Sequence, residues 1–163
     1  MAAGWDGLDA LSAATPERPR SLHAKRLQYQ EQGHGLYLIG WSDELAVGHL
    51  LLKWPGWPER PWTMEFQATY GCSLVEDLWV QPRSRGMGIG RALMETAHSH
   101  SNQQGIPSVG LGVGMDPGYA AARRLYRSLG YRDPGHGRFI ASGPGWIEEL
   151  TFWLAATVCP TTR

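Results

Sequence analysis

The sequence predicts an α/β fold in which a central mixed sheet of about six or seven strands is flanked by about four helices. Short runs of large apolar residues alternate with segments whose apolar residues recur about every 3.6 positions. In the second half of the chain these segments follow the order strand, helix, strand, helix, which places two strands side by side in parallel. With 163 residues, the chain is long enough for one domain with a buried core.

The first 20 residues differ from the rest of the chain. They mix small residues with two prolines, so the sequence assigns residues 1–20 no definite structure, although the spacing of Leu8 and Leu11 allows a short helix. No internal repeat interrupts the remaining chain. Residues 21–163 are therefore predicted to form a single domain.

The segment after residue 20 predicts a helix and then a β-hairpin. Residues 21–32 are rich in Lys and Arg and are followed by two glycines that would end a helix. The apolar runs 36–41 and 45–54 flank a polar turn and predict two paired strands. Residues 54–62 contain three tryptophans and three prolines, and they predict a stiff loop.

The second half of the chain carries the alternation of strands and helices. Asp116 and Pro117 have the character of an N-cap and a first-turn proline, and Gly130 is a typical helix stop. The predicted elements are, in order, a third strand at 72–80, a helix from Gly90 to Gly105, a strand at 108–113, a helix from Asp116 to Leu129, and two strands at 138–141 and 147–158.

Composition and charge argue against several classes of partner. Fifteen basic residues balance fifteen acidic ones, so the electrostatic attraction that nucleic acids and anionic membranes require is missing. No apolar stretch reaches the roughly 20 residues that span a bilayer, and no secretory leader is evident, so we expect a cytoplasmic protein. His98 and His100 would diverge on a helix, and the other histidines lack ligand spacing, so we predict no metal.

The segment between the third strand and the next helix has the composition of an anion site. Gly86, Gly88 and Gly90 alternate at the start of a predicted helix, where unpaired backbone N–H groups and the helix dipole attract a phosphate. Arg83, Arg85 and Arg91 are close enough in sequence to supply a cation. A P-loop would need a lysine here and a dinucleotide fingerprint a third glycine at position 91, and neither is present.

Taken together, these residues resemble the GNAT superfamily of N-acetyltransferases. The acyl-CoA signature of that family, Arg or Gln, two residues, Gly, one residue, then Gly or Ala, matches the run from Arg85 to Gly90. As in the family, an apolar strand precedes the signature, and a second block follows some thirty residues later. The matching residues of that block are Ala122, Leu125, Tyr126, Gly130 and Tyr131. The resemblance covers residues 36–131.

The resemblance implies a GNAT-like fold and acetyl-CoA as the co-substrate. By position, the amides of residues 87–91 would hold the pyrophosphate with Arg85 assisting, and the backbone of Leu78 and Val80 would pair with the pantetheine arm. The residues that the resemblance assigns to the cofactor are Leu78, Trp79, Val80, Arg85, Gly86, Met87, Gly88, Ile89, Gly90, Arg91 and Tyr126.

Two side chains are the candidate catalytic residues. The resemblance places Tyr126 near the thioester sulfur and a carboxylate base at Glu76. Strict alternation along the strand would put Glu76, Leu78 and Val80 on one face and Asp77 on the other. Asp77 or a water molecule remains an alternative base.

The predicted function is therefore transfer of an acetyl group from acetyl-CoA to a primary amine, directly within a ternary complex. The acceptor would be a small molecule or a peptide, and Trp146 and Trp153 are candidates to line its site. The alternatives are a non-catalytic acyl-CoA-binding sensor or interaction module, and transfer of a longer acyl group if small residues such as Gly110 and Gly112 line a pocket. The tryptophan-rich loop suggests a possible homodimer.

Overall fold

A computed structural model describes residues 4–16, 18–57, 61–133, 135, 139–140 and 147–148. The helices are α1 (Trp5–Ala14), α2 (Arg20–Glu31), α3 (Pro61–Tyr70), α4 (Ile89–Gln103) and α5 (Ala120–Ser128). The strands are β1 (Gly35–Ser42), β2 (Leu45–Lys53), β3 (Ser73–Val80), β4 (Val109–Leu111), β5 (Phe139–Ile140) and β6 (Ile147–Glu148).

Four strands form one mixed sheet in the order β1-β2-β3-β4, and β5 and β6 form a separate antiparallel pair. The predicted hairpin is confirmed in β1 and β2, and the predicted parallel pair is β3 with β4. The expected single sheet of six or seven strands is not confirmed. Most of the segments predicted as the last two strands, together with Trp146 and Trp153, lie outside the described residues.

Two helices lie in segments to which the sequence assigned no definite structure. The short helix that Leu8 and Leu11 allow is present as α1, and both leucines are fully buried against the sheet. Helix α3 occupies part of the segment between residues 54 and 72 for which no regular structure was predicted. Its buried face combines Phe66 with Thr63 and Gln67, so it lacks the apolar period that identifies a helix in a sequence.

The sheet separates two apolar clusters. Helices α4 and α5 cover one face, where Leu38, Leu50 and Leu52 pack with Leu93 and Met94. Helices α1 and α2 cover the other face, where Leu8, Leu11 and Leu27 pack with Tyr37 and Leu51. Alternate residues of β2 therefore face different helix pairs, as a strand covered on both sides requires.

A β-bulge at Asp77 interrupts the pleat of β3. His49 pairs with Trp79 and Leu51 pairs with Glu76, so one residue of β2 lies opposite two residues of β3. Asp77 takes up the extra length with a left-handed backbone (φ 54°).

The bulge overturns the predicted alternation along β3. Because cross-strand partners share a face, Glu76 and Trp79 lie on the α1–α2 face with Leu51 and His49, and Asp77 contacts His49 there. Leu78 packs into the opposite cluster, beneath α4 and α5. Glu76 therefore shares a face with Asp77 and not with Leu78.

Strands β3 and β4 separate toward their carboxyl ends. Their last pair is Val75 with Leu111, yet β3 continues for five more residues to Val80. Beyond that pair, the edge of β3 that faces β4 carries no strand in the described part of the chain. An extended molecule could therefore hydrogen-bond to this edge.

Candidate active site

A cavity of about 950 Å³ lies where β3 and β4 separate. Its walls come from both sides of the sheet and from the segments that follow each strand. The lining includes all of the residues 74–80, and residues 112–114 after β4. It also includes Tyr126 on α5 and, except for Met87, the glycine turn at the start of α4, residues 86–91. The sequence motifs that resemble the acetyl-CoA site thus meet in one cavity.

The glycine turn presents a run of free backbone donors. In the part of the chain that the structure describes, the backbone N–H groups of Gly86 to Arg91 donate no hydrogen bond, and the first bond of α4 is from Ala92 to the carbonyl of Gly88. Gly86 and Gly88 have positive φ angles of 78° and 86°, which favour glycine. Consecutive N–H groups at a helix start form an anion site.

The third glycine of the signature has a different reason to be small. Gly90 lies inside α4, and a methyl group there would be 3.3 Å from Leu125 on α5. Its role is close packing of the two helices and not a special backbone angle.

Two arginines border this turn, as the sequence predicted. The Nε of Arg85 donates to the carbonyl of Val80 at 2.9 Å, and Arg91 donates to Ser128 Oγ at 2.6 Å and lies 3.5 Å from Glu95. Both line the cavity, so their charge is available to an anion held by the turn. Met87 does not line it, and its side chain is 63% exposed.

Tyr126 lies on the α4–α5 side of the cavity. Its ring packs 5.8 Å from that of Tyr131, and only 6% of the residue is exposed. The hydroxyl has no hydrogen-bond partner among the described residues, so it can donate to a ligand. Burial raises the pKa of Tyr126 above its usual value of 10. The hydroxyl therefore stays protonated at neutral pH.

Glu76 lines the cavity from the α1–α2 face of β3. Its carboxylate lies 3.1 Å from the ammonium of Lys53, and its side chain is 24% exposed. The Glu76 carboxylate is therefore reachable from the cavity, and its charge is balanced by the buried Lys53.

Asp77 belongs to a buried polar cluster on the same face. Its Oδ1 accepts a hydrogen bond from Arg18 at 2.8 Å, and its Oδ2 lies 3.6 Å from Arg26 Nε and 3.9 Å from His49 Nδ1. His49 is fully buried and stacks on Trp79. Burial lowers the pKa of His49 to about 3, although Asp77 raises it in part. His49 is therefore neutral at pH 7.

We expect this histidine to make the fold sensitive to acid. In the unfolded chain His49 binds a proton near pH 6.5, whereas in the folded protein it does so only near pH 3. Between these pH values the unfolded chain binds more protons than the folded protein. The contribution of neutral His49 to stability is therefore complete above pH 6.5 and is lost as the pH falls toward 3. At pH 5 the loss is roughly 2 kcal/mol for this residue.

Urea unfolding at pH 7.5 and at pH 5.0 measures this effect. The His49→Phe variant should lose less free energy of unfolding between the two pH values than the wild type. His100→Gln, which changes a histidine away from the cluster, should leave the difference unaltered. An equal loss in His49→Phe and the wild type would contradict the assignment.

The structure adds two arginines to the cavity that the sequence did not indicate. Arg18 and Arg26 line the cavity beside Asp77, and Arg18 also lies 5.3 Å above the ring of Trp79. Tyr119 lines the cavity as well, packed against Gly114. Arg18 precedes α2 and Arg26 lies within it. Nothing local connects them to β3, so only an alignment of homologues could have marked them.

Metal-binding clusters and membrane-spanning helices are both absent from the described residues. Among them, no group of three His, Cys, Asp or Glu side chains is arranged to hold a metal ion. No helix in the same ranges has both the length and the apolar character needed to cross a bilayer.

Comparison with known structures places the fold. The chain superposes on the ribosomal-protein-alanine N-acetyltransferase of Brucella melitensis with a TM-score of 0.71 at 20% identity, covering 94% of this chain and 96% of that one. It is also similar to yncA from Salmonella typhimurium, whose structure contains its cofactor acetyl-CoA, with a TM-score of 0.69 at 16% identity and coverage of 94% and 90%.

The aminoglycoside 6'-N-acetyltransferase AAC(6')-IG of Acinetobacter haemolyticus is a third similar structure. Its TM-score is 0.63 at 16% identity, with coverage of 88% of this chain and 97% of that one. At these identities the likeness establishes the fold and not the acceptor. No curated protein matches the sequence.

The family follows from the sequence itself. The sequence model of the Acetyltransferase (GNAT) family matches residues 5–131, which is most of the chain. The match includes β3, the glycine turn, α4 and the tyrosine of α5, the elements that form the cavity. This chain therefore belongs to the GNAT acetyltransferase family, and it is an acyltransferase.

Proposed function

We propose that this protein transfers the acetyl group of acetyl-CoA to a primary amine by direct attack within a ternary complex. The observation that carries the proposal is the run of six unpaired amides beside the open edge of β3, in a cavity that also contains Tyr126. Residues 87–91, with Arg85 and Arg91, would hold the pyrophosphate. The backbone of Leu78 to Val80 would bind the pantetheine arm as an added strand.

The reaction requires three contributions from the protein. The amine nitrogen attacks the thioester carbonyl carbon, a C–N bond forms and the C–S bond breaks. Glu76, directly or through water, would take the proton that the amine loses. A backbone N–H on the open edge of β3, at Leu78 or a neighbour, would stabilise the developing oxyanion.

Tyr126 would assist the departure of the thiolate. The burial that raises its pKa makes complete proton transfer less favourable, so we assign it a hydrogen bond to the sulfur. The leaving thiolate then acquires its proton as coenzyme A is released. Asp77 is the alternative base, but its carboxylate faces two arginines, Arg18 and Arg26, whereas that of Glu76 faces Lys53.

Direct transfer is supported by the cysteine that the structure describes. Cys72 is fully buried, and burial raises the pKa of its thiol to about 12, so it is a poor nucleophile. Cys159 lies outside the described residues. Of the two small residues named for a longer acyl group, Gly112 lines the cavity, whereas Gly110 is covered by Phe66 and does not.

The experiment combines an acceptor panel with a charge-removing variant. Purified protein, acetyl-CoA and a panel of amines are assayed for free thiol and for N-acetylated product. With an acceptor that is turned over, Glu76→Gln should lower kcat at least about tenfold and leave acetyl-CoA affinity within about twofold, because the carboxylate acts on the amine.

Glu44→Gln is the matched control, because Glu44 is exposed and does not line the cavity. It should behave as the wild type. An unchanged kcat in Glu76→Gln would remove Glu76 as the base and direct attention to Asp77→Asn. A protein that binds acetyl-CoA but acetylates no amine would instead be the non-catalytic sensor, which family membership does not favour.

A further inference from the structure

The α1–α2 face of the cavity has a charge pattern that the transfer chemistry does not use. Arg18 and Arg26 line this part of the cavity next to Asp77, and their side chains are 23% and 27% exposed. The glycine turn lies instead at the start of α4, which packs on the opposite face of the sheet. The two arginines are thus separate from the anion site of the turn.

The guanidinium of Arg26 lies near one carboxylate but has a buried N–H group without a hydrogen bond. Among the described residues its one charged neighbour is Asp77 Oδ2 at 3.6 Å, and its Nε is buried without a hydrogen bond. A buried N–H group without an acceptor is costly, so such groups are normally paired. Arg26 also lines the cavity with part of its side chain exposed, so a ligand oxygen can meet the accessible part of this side chain.

The charges around Arg26 do not cancel. Arg18 and Arg26 face one carboxylate, that of Asp77, and Glu76 is already balanced by Lys53. The neighbouring His23 and His49 both have pKa values lowered by burial, so they add no positive charge at pH 7. The described part of this wall therefore carries one positive charge in excess, which disfavours polycationic acceptors.

Asp77 supplies a complementary acceptor in the same place. Its Oδ2 is buried and accepts no hydrogen bond, although Oδ1 is engaged by Arg18. The Asp77 side chain is nevertheless 18% exposed and lines the cavity, so an ammonium could meet its accessible part while an anionic group of the same molecule meets Arg26. The wall thus presents an unpaired donor beside an unpaired acceptor.

We infer that the amine acceptor carries a carboxylate and that Arg26, supported by Arg18, is the residue that selects it. This inference rests on the proposed acetyl transfer to an amine. The smallest molecule that combines both groups is a free α-amino acid. An acidic side chain near the N-terminus of a peptide offers the same chemistry.

Binding of matched pairs to the CoA-saturated protein tests the inference without requiring turnover. Each common L-amino acid is compared with its carboxamide by calorimetry, and Asp is compared with Asn at the second position of a tripeptide. We expect the acid of at least one pair to bind at least about tenfold more tightly, because a charge-assisted hydrogen bond is added. The first set reports a free amino acid and the second a peptide.

Turnover gives a second test, because the intrinsic reactivity of the amine favours the carboxamide whereas the proposed binding favours the acid. A neighbouring carboxylate favours the protonated form of an amine, so a carboxamide should be the better nucleophile in the absence of the protein. A kcat/KM that favours the acid would therefore come from binding. The Arg26→Gln variant should lose this preference in kcat/KM and keep its affinity for acetyl-CoA. That result would assign the preference for the acid to Arg26.

Lys25→Gln removes the same charge from the same helix at an exposed position that does not line the cavity. It should keep the preference, and Arg26→Lys should keep part of it. Equal binding of acid and amide in every pair, or a preference that survives Arg26→Gln, would overturn the inference. Binding of acids without acetylation of any amine would contradict the proposed function, and Arg26 would then select a carboxylate ligand and not an acceptor.

Discussion

Acetyl-CoA should bind the Gly88→Ala variant about 10- to 100-fold more weakly than the wild type. Gly88 is the N-cap of α4 and has a φ of 86°, where an alanine is strained by about 1 kcal/mol or more. A methyl group there would meet no protein atom within 4 Å, so packing does not demand glycine. The expected loss comes from misdirecting amides that contact a charged pyrophosphate, each worth about 1.5–3 kcal/mol.

Gly105→Ala is the matched control, because it introduces similar backbone strain away from the glycine turn. Gly105 follows the other end of α4, has a φ of 74°, and is equally open to added volume. Both variants should therefore lose similar free energy of unfolding in urea. Calorimetric titration with acetyl-CoA should distinguish them, and equal affinity in the two variants would rule out the turn as the pyrophosphate site.

Tyr126→Phe should lower kcat by about 100-fold while leaving the Kd of acetyl-CoA within about threefold of the wild type. The hydroxyl has no hydrogen-bond partner among the described residues and opens to the cavity, so its removal should cost the folded protein little. Removal of the hydroxyl should slow the step in which negative charge develops on the sulfur. Single-turnover thiol release measures that step.

Tyr131→Phe is the matched control. Its ring packs against that of Tyr126, but its hydroxyl is paired with His98, and Tyr131 is not among the residues that line the cavity. We expect Tyr131→Phe to lower the free energy of unfolding and to retain kcat. If Tyr126→Phe keeps the wild-type kcat, the leaving thiolate needs no hydrogen bond from this side chain.

The signature could be predicted from the sequence because its physical basis is local. Glycines at 86 and 88 adopt the positive φ angles that favour glycine, and the helix that they precede begins within a residue of the predicted start. The stop at Gly130 likewise has a positive φ of 87°. A few adjacent residues decide such features, so they are visible in the chain before it folds.

Helix α3 and the number of strands in the sheet were harder to predict from the sequence. The buried face of α3 contains Thr63 and Gln67, so the helix is held by its position over the sheet and not by an apolar stripe. Pro61 at its first residue was the available signal, since proline is favoured at a helix start. The terminal strands were inferred from apolar content alone, which does not specify the sheet that a strand joins.

The family signature, the glycine turn and the order of strand and helix around it could be identified from the residues alone. Tertiary structure alone decided which charged side chains share the cavity. The bulge at Asp77 moved Glu76 and Asp77 to one face, and α2 brought Arg26 to a strand some fifty residues away. The physical reason is that backbone angles depend on neighbours in sequence, whereas register and electrostatic partners depend on residues that meet only when the sheet is assembled.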